Sequence, residues 1–79
     1  MKESTRIRYI NKLERKSEFG LITEYTELNH IYLEAIRIFL LNPNPPYKEE
    51  DKKFIQHIEE KKQLVIEILD KRKEANNGR

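Results

Sequence analysis

Seventy-nine residues without a cysteine make one small domain, exclude disulfides and thiolate metal sites, and stand near the lower size limit of a self-sufficient core. The net charge of +2 is too small for a strongly basic nucleic-acid binder, and it is unevenly spread. Residues 1–18 hold six basic and three acidic side chains, the segments 19–46 and 47–70 are each net −2, and residues 71–79 are net +3.

The first ten residues, MKESTRIRYI, lack an apolar core of signal-peptide length. The most apolar stretch, residues 28–41, contains Glu34 and Arg37 and is too short and too charged to span a bilayer. A cytoplasmic location is the expectation. Ile, Lys and Asn, whose codons are AT-rich, number ten, ten and six, which suggests an AT-rich bacterium or its phage.

The first predicted helix covers about residues 4–17, with Ser4 and Thr5 as candidate caps. Ile7, Tyr9, Ile10 and Leu13 fall on one side of its wheel, and Arg8, Lys12 and Arg15 on the other. Gly20 reads as a stop, because a glycine just past a helix accepts positive φ. Phe19, Leu21 and Ile22 around it are too apolar for a free linker and predict a packed connection.

Thr23 reads as the cap of a second helix over about 24–41. Leu28, Tyr32, Ala35 and Phe39 form one stripe, Tyr25, Ile36, Leu33 and Leu40 widen it on one side, and Ile31 and Ile38 on the other. Only Glu27, His30, Glu34 and Arg37 are left for a narrow polar arc. A helix apolar over more than half its circumference is normally covered on several sides, so this one is expected to be the hub.

Asn42-Pro43-Asn44-Pro45-Pro46 ends it, since proline disfavours helix in the preceding residue and lacks an amide hydrogen. So short a turn predicts an antiparallel hairpin. The third helix is expected over about 47–73. Glu49, Glu50 and Asp51 at its start and Lys71, Arg72 and Lys73 at its end suit the helix dipole. Its apolar stripe is Phe54, Ile55, Ile58, Val65, Ile66 and Leu69, with Lys62 interrupting it and Leu64 and Ile68 straying toward the polar side. Residues 74–79 read as a frayed, disordered tail.

Catalytic patterns are not found. Glu27-Leu28-Asn29-His30 has the E-x-x-H spacing of diiron bundles, but it occurs once, and the other histidine, His57, has Glu60 after it in reversed order. Surface histidines beside ion-paired glutamates are the simpler reading. Two glycines make no phosphate loop, and Ser4, Ser17 and the threonines are explained by caps and helix ends. Tyr25, Tyr32, Phe39 and Phe54 sit at core spacing.

The sequence therefore predicts an all-α chain of three helices, with helices 2 and 3 as an antiparallel hairpin and the bundle completed by self-association. No enzymatic activity, cofactor, metal or small-molecule substrate is inferred. The expected function is protein interaction, as an adaptor, regulator or inhibitor, with a homodimer or another protein as partner. The candidate interface is Ile31, Ile38, Leu41, Leu64, Ile68 and Lys62. The alternative is a nucleic-acid-binding regulator that lays Arg6, Arg8, Lys12, Arg15 and Lys16 of the first helix along a phosphate backbone.

Overall fold

The computed structural model describes the backbone of residues 1–41 and 49–77 and the side chains of residues 1–41 and 51–76. The proline-rich turn, the start of helix 3 at Tyr47 and the last two residues lie outside them. The described chain is three helices: α1 (Glu3–Glu14), α2 (Glu18–Leu41) and α3 (Glu49–Asn77). None of them is long and apolar enough to cross a membrane.

α1 begins without the expected caps. Ser4 and Thr5 lie inside the helix, and Lys2, whose side chain makes no capping bond, holds the N-cap position. α1 also ends at Glu14 rather than near Ser17, with Arg15 as its C-cap. The local signal that wins is Ser17. Its hydroxyl accepts the Gly20 amide at 3.0 Å and its carbonyl accepts the Leu21 amide at 2.9 Å, so Ser17 is the N-cap of α2. Gly20 is therefore in the first turn of α2, not a stop. Thr23 is inside the same helix, where its hydroxyl donates to the Phe19 carbonyl at 3.0 Å, as Thr26 does to Ile22 at 2.9 Å. The packed connection expected around Phe19, Leu21 and Ile22 is helix; Leu21 is fully buried, but Phe19 is 78% and Ile22 48% exposed, because one face of a helical turn points to solvent.

α2 and α3 pack closely as an antiparallel hairpin. Ile22 lies beside Leu69, Asn29 meets Lys62, and Tyr32 meets Glu59, so each step up α2 is a step down α3. α1 runs back along this pair, antiparallel to α2. The Met1 amino group is 3.5 Å from Glu60, the Tyr9 hydroxyl donates to Glu24 at 2.8 Å, and Arg72 donates to the Glu14 carbonyl at 3.0 Å. The last contact gives the C-terminus of α1 a cationic donor for an unpaired carbonyl.

Length decides where the core lies. At about 1.5 Å per residue, α1 is roughly 18 Å long, α2 roughly 36 Å and α3 roughly 44 Å. α1 starts back from Ser17 and is used up after half of α2. The buried residues Tyr9, Leu13, Leu21, Leu28, Ile58, Leu64, Val65 and Ile68 all lie in the part that α1 covers. α3 continues through Asn77, so the frayed tail expected from residue 74 is helical over its first four residues.

Candidate interaction surface

The structure divides the predicted interface residues into two groups. Leu64 and Ile68, expected to be short of cover, are 6% and 8% exposed and belong to the core. The wheel of α3 alone placed them off its stripe because that stripe was centred on α2. α1 packs on the adjoining side: Tyr9 lies under the Lys61 ammonium, 5.1 Å from the ring centroid, and Glu14 reaches Arg72. Two neighbouring helices need two apolar arcs on α3, and Leu64 and Ile68 are the second.

Lys62 is also spoken for within the chain. Its ammonium donates to Asn29 Oδ1 at 2.9 Å and stands 4.2 Å from the centroid of Tyr32 and 5.6 Å from that of Tyr25. The Tyr32 hydroxyl hydrogen-bonds the Glu59 carboxylate, which raises its pKa. The break in the α3 stripe is thus a polar clamp between α2 and α3, and not a contact reserved for a partner.

Ile31, Ile38 and Leu41 stand on the other side of the division. They are 42%, 66% and 70% exposed. With Leu33 at 56%, Leu40 at 71% and Phe54 at 49%, they lie on the half of the hairpin that α1 does not reach, Leu33 and Leu40 on the opposite flank of α2 from Ile31 and Ile38. Phe54, read from the sequence as core, is exposed for the same reason. Glu34 and Arg37 interrupt this apolar surface and pair with each other at 3.7 Å. Among the described residues, no buried side-chain polar atom lacks a hydrogen-bond partner.

The predicted basic stripe lies on the opposite, outer side of α1. Arg8, Lys12, Arg15 and Lys16 line one shallow depression together with Asn11. Arg6 is outside that group and sits 4.0 Å from Glu3. Tyr9, on the apolar side of the wheel, faces inward and is buried, although the Lys12 ammonium remains 5.9 Å from its ring. Burial, and then the bond to the Glu24 carboxylate, push the Tyr9 phenol well above its ordinary pKa.

The histidines do not converge. His30 is exposed on α2, and His57 is half-buried on α3 where a solvent-facing position was expected. Among the described residues, no three His, Cys, Asp or Glu side chains gather as a metal-binding group. No family model, curated protein or solved structure matches this chain.

Proposed function

We propose that this chain is a protein-interaction module whose binding surface is the half of the α2–α3 hairpin beyond the reach of α1. The observation that carries the reading is that six of the nine large apolar side chains exposed among the described residues lie there, Ile31, Leu33, Ile38, Leu40, Leu41 and Phe54, the others being Ile7, Phe19 and Ile22. Scattered single apolar residues are ordinary on a protein surface, whereas a gathered set marks a contact. Fully burying one such side chain is worth about 1.5–3 kcal/mol. These six are between 42% and 71% exposed, so covering them offers several kcal/mol, as much as a small domain's whole stability.

A photo-crosslinking residue in place of Ile38 or Leu40 tests this. It should capture a defined protein in the source cell, and the same residue in place of Arg8, on the outer side of α1, should not. Equal capture from both positions, or none from the hairpin, would refute the reading.

One observation favours a second reading. Arg8, Lys12, Arg15 and Lys16 share a single depression with no acidic residue lining it, a surface suited to a nucleic-acid backbone. Four cations on four phosphates of a duplex give a log–log salt slope of at most about −3.6. Fluorescence anisotropy with duplex DNA and RNA measures it. Binding with that slope, lost when Arg8, Lys12 and Arg15 are all changed to Glu, would place this function above the first; no binding at low salt removes it.

A further inference from the structure

We infer that the free half of the hairpin docks a second copy of this chain, with the two α2 helices antiparallel about a two-fold axis near residues 35 and 36. The inference rests on the interaction reading above and names its partner.

Three features of α2 support it. First, Ile31, Glu34, Ile38 and Leu41 follow one another at intervals of three, four and three residues, the spacing of a coiled-coil seam. This seam points away from α3, which meets α2 through Tyr25, Asn29 and Tyr32. Its apolar members are exposed, as the seam of an unpaired helix must be.

Second, the seam is complementary to itself in one direction only. In an antiparallel pair centred near residues 35 and 36, Ile31 meets Leu41 of the second copy, and Glu34 meets Ile38. Glu34 then also lies beside Arg37 of the second copy, and symmetry repeats the contact. The Glu34–Arg37 pair within each chain, at 3.7 Å, becomes one half of a ring of alternating charges. A parallel pairing would set Glu34 against Glu34 and Arg37 against Arg37.

Third, α1 lies at one end of the hairpin. Antiparallel pairing sends the two α1 helices to opposite ends of the assembly, clear of the shared middle. Parallel pairing would crowd both onto the same end. In the antiparallel arrangement the second copy covers the Ile31, Ile38 and Leu41 flank of the bare half of α2.

The test exchanges the charges. Glu34→Arg leaves two cations at the seam of every copy, and Arg37→Glu leaves two anions. Arg37 is exposed and Glu34 half-buried at the surface, and circular dichroism should show each variant as helical as the parent. Sedimentation velocity should find the parent dimeric at micromolar concentration and each variant alone weakened at least roughly tenfold. An equimolar mixture of the two variants should re-form a dimer as tight as the parent's, because every cation then faces an anion.

A monomeric parent would overturn the inference, as would variants that dimerise unimpaired or a mixture that stays monomeric. The Ile38 crosslinker separates this failure from that of the wider reading. A monomeric chain that still captures another protein through Ile38 defeats the second-copy inference alone. A monomeric chain that captures nothing defeats both.

Discussion

Lys62→Met removes a cation from the middle of an otherwise apolar stripe, and a reading of α3 alone would expect it to stabilise the protein. The structure predicts the reverse. The Lys62 ammonium donates to Asn29 Oδ1 at 2.9 Å and lies over Tyr32 at 4.2 Å and Tyr25 at 5.6 Å. A hydrogen bond to a charged group contributes about 1.5–3 kcal/mol, and a cation over an aromatic ring about 0.5–1 kcal/mol where water reaches it. Methionine keeps most of the apolar stem and recovers part of this by packing. The net loss should be about 1–3 kcal/mol, a large share of a small domain's stability. Urea unfolding followed by circular dichroism measures it as a lower midpoint at unchanged slope. Asn29→Ala should couple to Lys62→Met in a double-mutant cycle by at least about 0.5 kcal/mol. An unchanged or raised midpoint, or full additivity of the two changes, would refute the clamp.

The remaining predictions concern the two junctions that build the three-helix half. Ser17→Ala should cost about 1 kcal/mol by leaving the Gly20 amide without its cap, and should lower the melting temperature by roughly 4–8 °C in a scanning calorimeter. Leu13→Ala, at a fully buried position of α1, should cost about 2–5 kcal/mol and unlatch α1 from the hairpin, read as faster amide exchange throughout α1. Tyr9 contributes to the loss of stability at alkaline pH. Its phenol has a pKa above the unfolded value of about 10, so its share of stability is complete below pH 10 and fades as pH rises toward the folded pKa. Melting curves at rising alkaline pH should fall less steeply for Tyr9→Phe than for the parent; an identical fall would show that Tyr9 ionises as freely as an exposed phenol.

Periodicity and punctuation made the architecture legible. The apolar repeats on both sides of the proline cluster mark two long helices, and the short span between them requires a hairpin. The breadth of the apolar arc of α2 likewise marks it as the hub and makes Ile31, Ile38 and Leu41 candidates for an interface. The junction of α1 and α2 is not legible locally, because Gly20 and Thr23 are ordinary boundary residues and Ser17 is an equally good cap six residues earlier than Thr23. Choosing Ser17 turns Phe19-Gly20-Leu21-Ile22 into a helical turn and lets Leu21 enter the core. Local preferences of a few tenths to one kcal/mol give way to the burial of a leucine.

The fates of Leu64, Ile68 and Lys62 depend on which neighbours stand against α3, and a single helical wheel carries no record of them. A wheel built around one partner gives one stripe. Leu64 and Ile68 become core only because α1 folds back on the adjoining side, and Lys62 is tolerated in the seam only because Asn29 and two tyrosines from α2 surround it. Chain length sets the boundary between the covered and bare halves of the hairpin: α1 has twelve residues and α2 twenty-four. Helix lengths and polar turns are local properties written along the chain, whereas burial is a property of pairs of elements and exists only once they have met.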